Sequence, residues 1–87
     1  MVTKTANYTL TATDGTVVFN GTSLTATLPD PTTIVVGRYW RIKNINASAL
    51  TVASAGTSKT IDGAASQSLA QWARLTVVSD GTQWLSV

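Results

Sequence analysis

The sequence of 87 residues contains no cysteine, no histidine and no glutamate. Without cysteine there can be no disulfide, and without cysteine or histidine the usual ligands of a structural zinc site are missing. Small domains often rely on such devices to supplement a small core. Self-association is the remaining device, although many domains of this length fold alone. We therefore expect no metal, no cofactor and a homo-oligomer.

Charge is scarce as well. Charged residues make up 11% of the chain, against about 25% in an average soluble domain, and the net charge is only +2. Surfaces that bind nucleic acid are usually denser in basic residues, and no apolar run approaches the roughly 18 residues that span a bilayer. The opening MVTKTANYT also lacks the apolar segment of a signal peptide. We expect neither a nucleic-acid partner nor a membrane partner.

The sequence does contain short alternating runs of apolar and polar residues, separated by turn dipeptides. Four such dipeptides stand out, namely Asp14-Gly15, Asn20-Gly21, Asp62-Gly63 and Asp80-Gly81. Short strands separated by turns every eight to twelve residues or so are typical of sandwiches and small barrels. The pattern predicts one all-β domain over residues 1–87, an antiparallel β-sandwich or jelly-roll-like fold of eight or nine short strands.

Individual segments give more specific expectations. Residues 1–28 are predicted to form a three-stranded meander, and residues 38–45 a central strand with Trp40 and Ile42 on one face. Residues 32–37 fit either a short helical turn or a loop whose Ile34, Val35 and Val36 plug one end of the core. Helical spacing competes in residues 64–74, but the surrounding β pattern favours an extended chain.

The last sixteen residues, from Trp72 to Val87, are predicted to form a β-hairpin around Asp80-Gly81. A three-residue loop with Gly81 in the left-handed region pairs odd residues with odd ones. It would bury a face made of Leu75, Val77, Leu85 and Val87. The opposite face would then carry Trp72, Arg74, Thr76 and Trp84.

The carboxylates do not suggest catalysis. Catalysis needs a nucleophile or a proton-transfer group held near a partner, and the four Asp residues stand in turns. Asp14, Asp62 and Asp80 precede glycine, and Asp30 lies between two prolines. Aspartate in a turn bonds its own backbone and accepts left-handed geometry, and the spacing does not resemble a calcium-binding loop. We expect turn-forming aspartates, no metal site and no enzymatic activity.

Aromatic and basic residues provide the candidate surface. Trp72, Arg74 and Trp84, together with Tyr39 and Arg41, could form an oligomer interface, because Trp, Tyr and Arg are enriched at interface centres. They could instead stack against a sugar or pack within the monomer. The segment from Tyr39 to Lys43 also interleaves aromatic and basic residues as platforms for single-stranded nucleic acid do, although a strand with Trp40 inward and Arg41 solvated explains it equally.

A family resemblance bears on the choice. Over most of the chain, from Tyr8 to Val87, the sequence resembles the small β-rich modules of tailed-bacteriophage virion proteins. The resemblance rests on the order of Tyr8-Thr9-Leu10, Leu28-Pro29, Gly37-Arg38, Ile42-Lys43-Asn44, Thr60-Ile61-Asp62-Gly63, Leu75, Val77 and Ser79-Asp80-Gly81-Thr82-Gln83-Trp84. Such modules occur on tail fibres, tailspikes, head fibres and similar appendages.

The resemblance implies a non-enzymatic structural module, commonly trimeric, that caps or decorates a virion or carries its host-binding surface. Its partners would be copies of itself, other virion proteins and possible host-surface glycans, and it would be found in the virion after assembly in the host cytoplasm. The alternative function is a carbohydrate-binding module that stacks sugars on exposed Trp and Tyr rings. Modules of this group usually end a longer chain, whereas this sequence begins at Met1, so it is either an excised module or a free-standing decoration protein.

Overall fold

The computed structural model describes all residues from 1 to 87 and confirms an all-β chain. A short 3₁₀ helix at Pro31–Thr33 is the only helical segment, and no helix is long and apolar enough to cross a membrane. The strands are β1 Val2–Lys4, β2 Tyr8–Thr9, β3 Thr16–Phe19, β4 Thr25–Leu28, β5 Tyr39–Asn44, β6 Leu50–Ser54, β7 Ser66–Leu69, β8 Arg74–Ser79 and β9 Trp84–Ser86. Within the segment 64–74, residues 66–69 are extended in β7, as predicted, but residues 70–73 form a turn in which the N–H of Ala73 donates to the carbonyl of Ala70 at 3.0 Å.

The strands form two mixed sheets. Sheet A has the order β1-β3-β5-β8-β9 and sheet B the order β2-β4-β6-β7. The first six strands alternate between the sheets, and neighbours within each sheet are parallel. The chain therefore winds through three successive coils, each made of one strand in sheet A and the next in sheet B: β1 with β2, β3 with β4, and β5 with β6. β7, β8 and β9 then pair antiparallel and complete the sheets.

Both the strictly antiparallel arrangement and the meander over residues 1–28 were wrong. The turn that was assigned to Asp14-Gly15 lies two residues earlier, where the N–H of Asp14 donates to the carbonyl of Thr11 at 3.0 Å. It carries the chain across from sheet B to sheet A instead of folding β2 back onto β3. Asn20-Gly21 likewise lies in a crossing between sheets, since β3 and β4 belong to different ones.

One hydrophobic core lies between the two sheets. Sheet A contributes alternate residues of its strands and sheet B does the same, because successive side chains of a strand point to opposite faces. The fully buried large side chains include Phe19, Leu28, Trp40, Ile42, Leu50, Val52, Val77 and Trp84. β5 was correctly predicted as a central strand with Trp40 and Ile42 inward.

Two tryptophans form the centre of this core. The rings of Trp40 and Trp84 meet edge to face, with centroids 5.3 Å apart and planes at 71°, an arrangement that aromatic pairs favour. Each indole N–H finds a backbone acceptor, Trp40 on the carbonyl of Thr11 at 3.2 Å and Trp84 on that of Pro29 at 3.0 Å. The pair thus joins the last strand to the first coils.

The C-terminal hairpin exists, but its predicted register is wrong. Ser79 pairs with Trp84, so the loop between them has one residue more than the three-residue loop that we expected. The Asp80 carboxylate stabilises this longer loop by accepting from the N–H groups of Thr82 and Gln83, both at 2.9 Å. This shift in register points the side chain of Trp84 into the core.

The burial of the hairpin follows from this register. Of the four residues predicted to form the buried face, only Val77 is fully buried. Leu75 and Leu85 are partly buried, and Val87 is 81% exposed. The structure places Trp84 inside, where we had expected an exposed ring beside Trp72 and Arg74.

The other turns use aspartate in different ways. Asp62 and Gly63 both have positive φ, 53° and 82°, between the bridged residues Ile61 and Ala64, which is the geometry of a two-residue hairpin turn. Asp30 caps the 3₁₀ helix by accepting from the N–H of Thr32. Beyond that helix Ile34 is partly buried, but Val35 and Val36 are exposed and do not plug the core.

Asp14 is the one buried carboxylate. It accepts hydrogen bonds from the Tyr8 hydroxyl at 2.7 Å and from the N–H of Thr11 at 2.8 Å. Burial by itself raises the pKa of Asp14, but these hydrogen bonds and the nearby charge of Lys4 together hold that pKa below its usual value. The charged carboxylate therefore stabilises the first coil.

We predict that Trp84→Ala lowers the free energy of unfolding by about 3–5 kcal/mol, because a large buried ring leaves a cavity. The matched control is Trp72→Ala, which removes a ring that is 62% exposed and is expected to change stability by no more than about 0.5 kcal/mol. Urea unfolding followed by circular dichroism measures both. Equal losses in the two variants would contradict the placement of Trp84.

A second prediction concerns acid. Because the folded-state pKa of Asp14 is lowered, its contribution is complete above the usual Asp pKa of about 3.9 and is lost as pH falls through the folded-state value. Asp14→Asn should therefore be less stable than the wild type at neutral pH, and the difference should shrink as the pH falls through the lowered folded-state pKa of Asp14. Tyr8→Phe removes one donor to the carboxylate and should shift the acid transition to higher pH. A constant difference across the pH range would refute the role of Asp14.

Candidate functional site

The predicted surface residues divide between three places. Tyr39, Arg41 and Arg74 are exposed on the side of sheet A that faces away from the core. Trp72 is also exposed, in the turn that precedes β8, where it adopts a φ of 69°. Trp84 is in the core, so it belongs to no surface site.

Pairing of β5 with β8 brings separate parts of the sequence onto one face. Tyr39 lies opposite Val78, Arg41 opposite Thr76, and Lys43 opposite Arg74. Since these strands are antiparallel neighbours, directly opposed side chains are in contact range. We call this surface the outer face of sheet A and define it by Tyr39, Arg41, Lys43, Arg74, Thr76 and Val78.

The outer face is basic. Three of the six cationic side chains of the chain are on it, and the aspartates are engaged elsewhere, with hydrogen bonds from their own turns or from Tyr8 and Ser86. Lys43 and Arg74 are like charges in direct opposition, an arrangement that destabilises a sheet. The net charge of +2 therefore conceals a local concentration of positive charge.

The cationic side chains of this region differ in how many hydrogen bonds they donate within the chain. Arg38, which immediately precedes β5, donates to the carbonyls of Ala12, Asp14 and Tyr39, and its guanidinium lies 4.1 Å from the Trp40 ring centroid. These contacts make Arg38 a structural residue.

On the outer face, the ammonium group of Lys43 donates to the carbonyl of Trp72. Arg41 and Arg74, by contrast, donate no hydrogen bond within the chain. Their donors are available to a partner.

Two shallow hollows adjoin on the outer face. The aromatic hollow has a volume of about 290 Å³ and is lined by Tyr39, Arg41, Thr76, Val78 and Val87. The arginine hollow has a volume of about 320 Å³ and is lined by Arg41, Arg74, Thr76 and Val87. Both are open to solvent and share Arg41, Thr76 and Val87, so one ligand can occupy them together.

The side chains of this face are suited to binding a ligand. Guanidinium groups bind carboxylate, sulfate or phosphate through paired N–H donors, and the ring of Tyr39, 50% exposed, offers a stacking surface. The guanidinium carbon of Arg41 lies 5.7 Å from the Tyr39 ring centroid. No group of three or more His, Cys, Asp or Glu side chains is placed to hold a metal ion.

Sequence reasoning identified most of these residues but not their grouping. Alternation in each strand placed Tyr39, Arg41 and Lys43 on one face, and Arg74 with Thr76 on another. Nothing in the sequence showed that β5 pairs with β8. The opposition of Lys43 and Arg74 follows only from that pairing.

Comparisons with protein-family models, with curated proteins and with solved structures found no match for this chain. The candidate site therefore rests on its own geometry. That geometry is an open, basic sheet face with one exposed ring and two arginines that donate no hydrogen bond within the chain.

We predict that Arg74→Gln raises the free energy of unfolding by about 0.5 kcal/mol at low ionic strength, because it relieves the repulsion from Lys43. The gain should shrink in molar salt, where surface charges are screened. Lys59→Gln is the matched control, since its charge lies near Asp30 and its removal should slightly destabilise the fold. Thermal unfolding at two salt concentrations checks both, and a gain that is unchanged in high salt would contradict the repulsion.

Proposed function

We propose that this chain is a non-enzymatic structural module of a bacteriophage virion, in a fibre, spike or capsid decoration, and that it self-associates as a trimer. The observation that supports association is the pair of adjacent valines before β5, Val35 at 80% and Val36 at 66% exposed. Large apolar side chains displayed together on a soluble domain commonly mark a contact with another protein.

The turn that carries the two valines is well ordered by hydrogen bonds. The N–H of Arg38 donates to the carbonyl of Val35 at 3.0 Å, and Gly37 between them has a φ of 91°. The N–H of Gly37 donates to the carbonyl of Ser79 at 2.9 Å. Because backbone contacts to β8 fix this turn, little conformational entropy remains to be lost when a partner covers it.

The valine turn, which comprises Val35, Val36 and Gly37, lies beside the β8–β9 loop. Val36 lies close to Gly81 of the β8–β9 loop, where an added Cβ would come within 3.1 Å of its side chain. The low charge of the chain suits a surface that is covered by neighbours.

The unpaired edges of β1 and β2 also favour packing in an assembly. β1 and β2 each pair on one side only, and a strand edge offers unpaired N–H and C=O groups to another chain. Lys4 restricts this edge, since its ammonium group lies 4.1 Å from the Tyr8 ring centroid and covers part of the first coil. We therefore assign the main contact to the valine turn. The trimeric state and the virion location rest on the family resemblance of the sequence.

The test is the solution mass by light scattering coupled to size exclusion. We expect three times the 9.1 kDa chain mass at micromolar concentration, and a monomer for the double variant Val35→Ser with Val36→Ser. Val87→Ser, which alters an equally exposed valine outside the turn, should stay trimeric. A monomeric wild type would end the proposal of self-association. Peptides of this chain must also co-purify with intact particles, as mass spectrometry would show.

A further inference from the structure

We propose that the outer face of sheet A binds an acidic saccharide, with the acidic group held between Arg41 and Arg74 and the sugar ring on Tyr39. This surface is separate from the valine turn, and the inference does not depend on the proposed trimer. Three features of the face support this ligand: guanidinium groups that donate no hydrogen bond within the chain, opposed like charges, and an exposed ring beside them.

The two arginines define the anionic part of the ligand. Arg41 and Arg74 flank Thr76, because Arg41 lies directly opposite Thr76 and Arg74 precedes it by two positions on the same face of β8. All three line the arginine hollow. Two planar forks and a hydroxyl around one hollow match the oxygens of a carboxylate or sulfate.

The opposed charges indicate that an anion is expected there. Lys43 and Arg74 repel each other without a carboxylate beside them, and Lys43 is already engaged with the carbonyl of Trp72. Local conflicts of this kind tend to occur at functional sites, where a ligand relieves them. A bound oxyanion would neutralise the repulsion and use the free donors of Arg41 and Arg74.

Tyr39 defines the neutral part of the ligand. Its ring lines the aromatic hollow, which is continuous with the arginine hollow through Arg41 and Thr76. Sugar rings present an apolar face of C–H groups that packs on aromatic side chains, while their hydroxyls remain in water. A uronic acid or sulfated sugar with its ring on Tyr39 brings its acidic group toward the arginines.

A nucleic acid fits less well. Single strands bind along grooves in which successive bases stack on successive aromatic rings. The outer face has one ring, Tyr39, because Trp84 is buried and Trp72 lies in the turn before β8. One ring beside two arginines suits a single acidic sugar, and the open shape of the hollows predicts weak binding, with a dissociation constant of roughly 0.1–1 mM.

The experiment titrates the intact chain with trigalacturonate and with its methyl ester, which keeps the rings and removes the charge. Two-dimensional NMR and calorimetry report the site and the affinity. We expect trigalacturonate to shift the amide signals of Arg41 and Thr76 and to bind at least tenfold more tightly than the ester. Arg41→Gln, Arg74→Gln and Tyr39→Ala should each weaken binding several-fold, whereas Lys59→Gln, a cation elsewhere on the surface, should not.

Three further arms separate the possible ligands. A sulfated trisaccharide from carrageenan that binds in place of trigalacturonate, with the same variant sensitivity, supports the site and identifies sulfate as the preferred group. Inorganic sulfate that binds as tightly as either sugar overturns the role of Tyr39. A thymidine oligonucleotide that binds more tightly than both sugars overturns the inference in favour of nucleic acid. Absence of all binding, or binding that Arg74→Gln leaves unchanged, overturns it as well.

Discussion

The contact between Trp40 and Trp84 is the interaction on which the rest of the structure depends. Trp40 belongs to the last coil and Trp84 to the strand that closes sheet A, and their rings meet at the centre of the single core. Their indole N–H groups reach back to carbonyls near β2 and β4. Parallel coils cannot bury their own ends, so a large side chain delivered from the antiparallel hairpin completes the core that the coils begin.

A buried amide gives the two sheets a second connection. The side chain of Asn44, at the end of β5, donates to the carbonyls of Ser48 and Leu69 and accepts from the N–H of Asn46. It thereby links sheet A to the end of β7 in sheet B, and its polar atoms are fully paired. Buried polar groups of this kind specify one arrangement because any other leaves them unsatisfied. Asn44 thereby anchors the end of β5, the strand that carries Tyr39, Arg41 and Lys43 on the outer face of sheet A.

Local patterns in the sequence predicted what depends on local geometry. The two-residue period around Trp40 and Ile42 placed β5 correctly, and Asp62-Gly63 formed the expected tight turn. The parallel coils were missed because hydrophobic alternation is the same in parallel and antiparallel strands that have one solvated face. Trp84 was misplaced for a different reason. The side-chain bonds of Asp80 lengthen the loop, and a shift of register by an odd number of residues exchanges the faces of the strand.

The winding of the chain also determines how it can fold. Within the three coils no strand pairs with its neighbour in sequence. Val2 pairs with Val17, and Val17 pairs with Ile42, so each pairing joins residues that are far apart in the chain. Among the pairings between strands, the hairpin of β8 and β9 has the shortest loop, since Ser79 pairs with Trp84. Non-local strand pairing slows folding because loop entropy is lost before the contacts form. During synthesis the coils therefore cannot enclose their core until Trp84 has left the ribosome.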